Sequence, residues 1–258
     1  MPVNVLSLDG STKKTMELPS IFNEQVRPDL IRRAVLAENT WKLQPQAHSR
    51  LAGMQTSAAY FGAMSSYRTG RHMGIAIRPR EKLGGGVQGK VKRIPSATKG
   101  RRAHPHQAAK IITERINRKE YQRALASALS ATVTSRQGVQ MPLIISDDIE
   151  SVKRTKDVLV IFKNVKLLDY VNDSREPHIR KNVRRSTRIK IHKRKLLLVV
   201  GKQSSVLMAA RNIPGVDVCE VGKITANLLA PGGVPGRLTV WSESAVGGVA
   251  RAIEGIKV

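Results

Sequence analysis

The sequence predicts an α/β fold built on a parallel sheet and carrying a long basic loop. Three observations predict it. From Leu196 onward, short apolar runs alternate with segments of helical period, and strands separated by helical crossovers imply a parallel sheet. Residues 44–102 show no period, are rich in glycine and exceed the usual loop length of compact domains. Finally, the positive charge is concentrated in two segments. Arg50 to Arg102 holds 12 Lys and Arg against one acid, Glu81. Arg175 to Lys195 holds 10 against one, Glu176.

Those two segments carry +20 of the formal net charge of +26. The rest is a nearly balanced body, and 41% hydrophobic residues give it enough apolar mass for a core. Like charges this dense repel one another and weaken a compact state. A polyanion relieves that repulsion, with counterion release driving the binding. Nucleic acid fits better than an anionic membrane, because neither segment has a sustained apolar stripe. No apolar run of about 18 residues predicts a membrane span, and the opening residues lack a secretory pattern. The single cysteine, Cys219, excludes an internal disulfide framework and a Cys-based zinc finger. Aromatics at 3% argue against an RNA-binding sheet of stacked rings. The composition describes a basic protein of a reducing compartment.

Taken in order, Val3 to Leu8 reads as a strand closed by the turn pair Asp9-Gly10, with a second extended piece at Thr15 to Leu18. Pro28 and Asp29 open a helix: proline suits its first turn and a carboxylate favours its dipole. Leu30, Ile31, Ala34, Val35 and Trp41 follow at helical spacing. The stretch from Gln44 to Arg102 has too few large apolar residues for a core of its own and reads as an arm that folds on its partner. Gln107 to Lys119 reads as a helix. Tyr121, Leu125, Leu129 and Val133 step by four in the next one, where dense alanine allows close packing. Met141 to Ile145 reads as a buried strand and Thr155 to Lys163 as a helix. Leu196 to Val200 is a continuous apolar run, the mark of a strand covered on both faces. Then come a helix at Ser204 to Arg211, a strand at Val216 to Val221, a short helix at Lys223 to Leu229, a strand at Leu238 to Trp241 and a helix at Ser244 to Ile253.

The motifs carry little catalytic chemistry. Gly84-Gly85-Gly86-Val87-Gln88-Gly89 fits GxGxxG, but it lies inside the basic arm and not between a strand and a helix. Gly201-Lys202-Gln203-Ser204 follows a strand and precedes a helix, a suitable place for a phosphate, yet its spacing is wrong for a Walker loop. Ser204 or Ser205 is expected to cap that helix. Asp147, Asp148 and Glu150 form the one dense acidic cluster and are read as capping groups in preference to a metal or acid–base site. His48, His72, His104, His106, His178 and His192 all lie in or beside the basic segments, without HExxH spacing. No catalytic residue, cofactor or metal is expected, and Cys219 reads as a small core residue.

In the arm, arginine is interleaved with glycine and small residues, as in Tyr67-Arg68-Thr69-Gly70-Arg71-His72-Met73-Gly74. Glycine permits close backbone approach, and arginine forks pair with phosphate. Such a strip suits threading through folded RNA. The candidate RNA ligands of the arm are Arg50, Arg68, Arg71, His72, Arg78 and Arg80, then Lys82, Lys90, Lys92 and Arg93, then Lys99, Arg101, Arg102 and His104. Those of the second segment are Arg180, Lys181, Arg184, Arg185, Arg188 and Lys190, then Lys193, Arg194 and Lys195.

Several stretches in shared order resemble a known family. They are Leu8-Asp9-Gly10, Glu17-Leu18-Pro19 with Phe22, Val26-Arg27-Pro28-Asp29-Leu30-Ile31, Lys99 to Pro105, Arg123 to Leu129, Ala209 to Val216, and Leu228 to Ala245 with its Ala230-Pro231-Gly232-Gly233-Val234-Pro235-Gly236-Arg237 core. The family is the universal large-subunit ribosomal protein number four, in its archaeal form. The Arg175 to Lys195 insert and the absence of a long basic extension after the final helix distinguish that form.

The resemblance implies a three-layer α/β/α body on a mostly parallel sheet, formed by residues 1–43 and 103–258, with residues 44–102 as an extended RNA-penetrating loop. It implies a cytoplasmic structural protein of the large ribosomal subunit, one copy per ribosome, bound to large-subunit rRNA and neighbouring ribosomal proteins. The loop would line the exit tunnel beside the nascent polypeptide, with Arg71, His72 and Met73 nearest its tip. The other reading of the residues is an RNA-modifying or nucleotide-dependent enzyme with a phosphate site near Gly201.

Overall fold

The computed structural model describes residues 2–60, 74–85, 87–133, 142–182 and 186–255. The chain divides into two compact units, one of residues 1–42 with 113–258 and one of residues 43–112.

The first unit opens with β1 (Pro2–Leu6) and β2 (Thr12–Glu17), paired antiparallel. Helix α1 (Pro28–Trp41) starts at the proline, with Asp29 in its first turn. In the second unit lie β3 (Arg80–Lys82) and β4 (Gln88–Val91). Back in the first come α2 (Arg118–Ser130), β5 (Leu143–Ile145), α3 (Thr155–Asn164) and α4 (Leu168–Arg175). A ribbon of β6 (His178–Asn182) and β7 (Thr187–Ile191) follows. The chain then alternates as β8 (Leu196–Val200), α5 (Val206–Ala210), β9 (Val216–Glu220), α6 (Ala226–Leu229), β10 (Leu238–Ser242) and α7 (Glu243–Gly255).

The main sheet has the order β2-β1-β5-β10-β8-β9 and is parallel except at the β2 edge. Alternation along β8 separates two cores. Leu197 and Val199 join Val5, Ile144 and Trp241 under α1, α2, α6 and α7. Leu196, Leu198 and Val200 join Ile145 and Val240 under α3, α4 and α5. Both faces of the sheet are covered, so the body is a three-layer α/β/α sandwich, and the unbroken apolar run in β8 follows from it. Trp241 is fully buried and meets Phe22 edge to face at 5.6 Å.

One buried carboxylate joins three helices. Glu38 of α1 accepts hydrogen bonds from Tyr121 Oη at 2.7 Å and from the backbone N–H groups of Ala226 and Asn227 at 2.6 and 3.0 Å. It thereby satisfies the open N-terminus of α6. Burial and the neighbouring Glu38 push the Tyr121 hydroxyl well above its ordinary value of 10.0.

The expected helix at Gln107 to Lys119 does not form; α2 begins at Arg118. Tertiary hydrogen bonds replace the local ones. The Glu114 N–H donates to Thr40 Oγ1 at 2.9 Å, and Trp41 Nε1 donates to the Glu114 carbonyl at 3.3 Å. The backbone at 114 is thus committed to the end of α1, while Ile111, inside the expected helix, is 86% exposed. Conversely, α4 forms where the apolar pattern announces no helix.

Candidate nucleic-acid interface

Residues 43–112 hold together with almost no apolar core. Ala58 is the one buried residue among those described there. Backbone closure does the work. The Ala59 N–H donates to the Arg80 carbonyl and the Arg80 N–H to the Ala59 carbonyl, both at 3.1 Å, and Lys92 N–H reaches the Pro79 carbonyl at 3.1 Å. Gly53, at φ +78°, lies so close to Gly100 that a Cβ there would meet its carbonyl oxygen at 2.5 Å. Gly84 and Gly85 take positive φ between β3 and β4. The described residues of the GxGxxG pattern therefore lie in a ribbon turn and the strand after it, and not in a strand-to-helix phosphate loop.

The cations of this unit fall into two groups. Some brace the fold: Lys92 pairs with Glu81 at 3.9 Å and Arg93 Nε donates to the Met54 carbonyl at 3.4 Å. Arg80 donates to the Ala76 carbonyl, and Arg78 donates to Ser96 Oγ at 2.9 Å. The second group, Arg50, Lys90, Lys99, Arg101, Arg102 and His104, is exposed, as is Lys82. Leu51, Met54, Tyr60, Leu83 and Val87 are also exposed. The unit presents cations and apolar side chains together on an open surface. Arg68, Arg71, His72 and Met73 lie outside the described residues.

The second basic segment begins with the end of α4 and continues as the β6–β7 ribbon. Its register pairs His178 with Ile191, Ile179 with Lys190, Arg180 with Ile189 and Lys181 with Arg188. Arg180, Lys181, Arg188, Lys190, Lys193 and Arg194 are exposed. Lys195 is half-buried against Asp173, and Arg194 lies 3.9 Å from Asp217. Arg184 and Arg185 are outside the described residues. The charge count marks this segment but not its ribbon form. The missed signal is the strict alternation of Thr187-Arg188-Ile189-Lys190-Ile191, a strand pattern.

The ribbon base is clamped to the body. His192 Nδ1 lies 3.0 Å from the Ser174 carbonyl oxygen, and Ser174 Oγ donates to the Tyr170 carbonyl at 2.9 Å. The carbonyl of Gly215 accepts from the N–H groups of Lys195 and Leu196. Nearby, the Arg237 side chain is 1% exposed. It donates to the carbonyls of Leu228 and Leu196 at 2.7 and 2.8 Å and pairs with Asp217 at 2.7 Å. Burial pulls its guanidinium below the ordinary value. This arginine tethers α6, β8 and β9. No charge run or period marks it in the sequence, although it sits in the glycine-proline motif that carries the family resemblance.

The acidic cluster occupies the end of the sheet where nucleotide-binding α/β folds place a phosphate. Glu150 Oε1 accepts from Gly201 N at 2.8 Å, Ser242 Oγ at 2.8 Å and Ser244 Oγ at 3.0 Å. Asp147 Oδ1 accepts from Ser244 N at 2.8 Å, at the start of α7. The Gly201 N–H that a phosphate would need is thus already taken by a carboxylate of the same chain. Asp147 caps the start of α7 and Glu150 satisfies the Gly201 N–H after β8, both across the sheet and not for the segment that follows them, whereas among the described residues Asp148 caps nothing: it accepts from Ser146 Oγ at 2.9 Å and pairs with Lys13 at 3.6 Å. Likewise Ser204 and Ser205 do not cap α5; Ser205 donates to the Glu150 carbonyl at 3.1 Å. Among the described residues no group of His, Cys, Asp and Glu is arranged to hold a metal, and no helix is long and apolar enough to cross a membrane.

Comparison with known proteins agrees with this architecture. The chain is 40% identical to the large ribosomal subunit protein uL4 of Archaeoglobus fulgidus, covering 95% of this chain and 97% of the relative. It is 39% identical to that of Methanococcus vannielii and 38% identical to that of Methanocaldococcus jannaschii, each with the same coverage. Residues 16–252 match the Ribosomal protein L4/L1 family. A match running through the body, the arm and the basic ribbon alike is one of the whole architecture: the chain belongs to the Ribosomal protein L4/L1 family, in its archaeal form.

Proposed function

We propose that this protein is a structural constituent of the large ribosomal subunit that binds large-subunit rRNA and stabilises its folded form. The observation that carries this reading is a family match over residues 16–252 containing a basic unit with only Ala58 buried among its described residues. A segment this poor in core gains its order from a partner, and its open cations suit crowded phosphates. Residues 44–102 serve as the RNA-penetrating loop and reach the nascent-polypeptide exit tunnel, with Arg71, His72 and Met73 toward the tip. The exposed cations of the arm and ribbon contact rRNA, and the body faces neighbouring ribosomal proteins. One copy serves each ribosome, in the cytoplasm, without a catalytic, cofactor, metal or membrane role. The internal occupation of Gly201 by Glu150 supports a non-enzymatic role.

Sedimentation tests the proposal. Lysate is run through a density gradient at moderate and high salt, with and without ribonuclease. Co-migration with the large subunit that survives high salt and collapses with ribonuclease is the expected result. A slow soluble peak under every condition overturns it.

A further inference from the structure

The β6–β7 ribbon is a projecting blade on a fixed hilt. Every described side chain from His178 to Lys181 and from Ser186 to Arg194 is exposed. Ile179, Ile189 and Ile191 are 52%, 51% and 42% exposed. Its base is held by the His192–Ser174 contact and by Gly215, which packs against Ser174 and the Lys193 carbonyl. A two-stranded ribbon alone is marginally stable in water, so a fixed base under an uncovered blade needs an occupant for the blade.

We propose that one face of this ribbon docks along the backbone of an RNA duplex, with Lys181, Arg188 and Lys190 on its phosphates. The proposal rests on rRNA being the partner and names the surface and the form of RNA it takes.

The register selects the face. Directly opposed residues share a side of an antiparallel ribbon, with Cβ atoms about 4.5–5.5 Å apart, and successive residues alternate sides. Lys181 opposes Arg188 and Ile179 opposes Lys190, which puts three cations on one face. The other face pairs Arg180 with Ile189 and His178 with Ile191. A like-charge pair directly across a ribbon is destabilising, and neither strand contains an acid to relieve Lys181 against Arg188. An anion seated between them converts that repulsion into a bridge. RNA backbone supplies anions in a regular row.

Duplex fits better than single strand. Single-strand sites stack bases on aromatic rings, and the strands contain no Phe, Tyr or Trp. The minor groove of an RNA duplex is wide and shallow, and is recognised through shape, phosphates and 2′-hydroxyls. Lysine and arginine donate to both oxygen types. With neither Asn nor Gln on the cationic face, the contact is independent of sequence.

Hydrogen exchange on the full chain tests this, with and without a mixed-sequence RNA duplex of about 16 base pairs. Addition of duplex is expected to slow exchange in β6 and β7 by about ten-fold or more, and a single strand of equal length to slow it far less. K181Q/R188Q/K190Q is expected to remove the slowing and to lower the salt slope of duplex binding by about 2–3. H178Q/R180Q, on the opposite face, is expected to retain the slowing. R188Q alone, which breaks the opposed pair, is expected to weaken it. The proposal is overturned if duplex slows residues 43–112 and leaves the ribbon untouched, if both faces lose protection equally, or if single strand protects as well as duplex. Failure of the chain to sediment with the large subunit, with ribbon protection by duplex retained, would overturn the ribosomal reading alone.

Discussion

Glu150 Oε1 stands 2.8 Å from the Gly201 amide nitrogen and accepts its hydrogen. The glycine is required there, since a Cβ would lie 2.4 Å from Ser244 Oγ. The carboxylate also takes the hydroxyls of Ser242 and Ser244, so one side chain satisfies the ends of β8 and β10 and the start of α7. An end of the sheet that other α/β proteins leave open for ligands is here closed from within.

Removing that closure has a defined cost. Glu150→Ala leaves three donors without their shared acceptor, and the expected loss is about 1–3 kcal/mol. Urea denaturation measures it. Glu150→Gln keeps an acceptor oxygen and is expected to recover part of the loss. An alanine variant as stable as the parent would show that solvent replaces the carboxylate without cost.

Gly215 sits at φ +80°, and a Cβ there would lie 2.1 Å from Ser174 Cβ. Gly215→Ala is expected to destabilise the body by about 2–4 kcal/mol, through strain and overpacking at the ribbon base. Trypsin cleavage within the ribbon is expected to accelerate. A variant with unchanged stability and unchanged ribbon cleavage would show that the base can shift aside.

Burial pushes the Cys219 thiol up to about 12 from its ordinary 9.0. The folded state therefore holds the proton while the unfolded chain releases it. The stability this contributes is fully present below pH 9 and is lost as pH rises toward 12, by about 1.4 kcal/mol per pH unit above 9. The advantage of the parent over Cys219→Ala in urea is expected to shrink across that window. Native protein is expected to resist thiol reagents at neutral pH. Rapid labelling without unfolding would contradict the buried placement.

Residues 43–112 have Ala58 as their one buried residue among those described. Limited trypsin digestion of the free protein is expected to cut there first, at exposed sites such as Arg50 and Arg101, while the body resists. Added rRNA is expected to slow those cuts. Body cleavage at an equal rate would contradict the difference between the units.

Much of the body is legible in consecutive residues. Pro28 and Asp29 begin α1, the Leu196–Val200 run is a doubly covered strand, and the alanine-rich stretch after Tyr121 is α2. Charge count alone marks the two basic segments. The Gln107 to Lys119 helix fails where the backbone of Glu114 bonds to Thr40 and Trp41, more than seventy residues away in sequence. The strand period of the ribbon is overlaid by its charge density, since every second residue from Arg188 to Lys190 is a cation.

The class of fold, the sign and place of the charge, and the family resemblance are all readable in the order of the residues. Those properties reside in single residues and short runs. That Glu150 closes the end of the sheet, that Glu38 seats α6 and that Lys181 faces Arg188 emerges on folding. The Glu150 acceptor and its donors are 51, 92 and 94 positions apart. A hydrogen bond depends on distance in space, and strand order brings those residues together where spacing along the chain gives no sign of it.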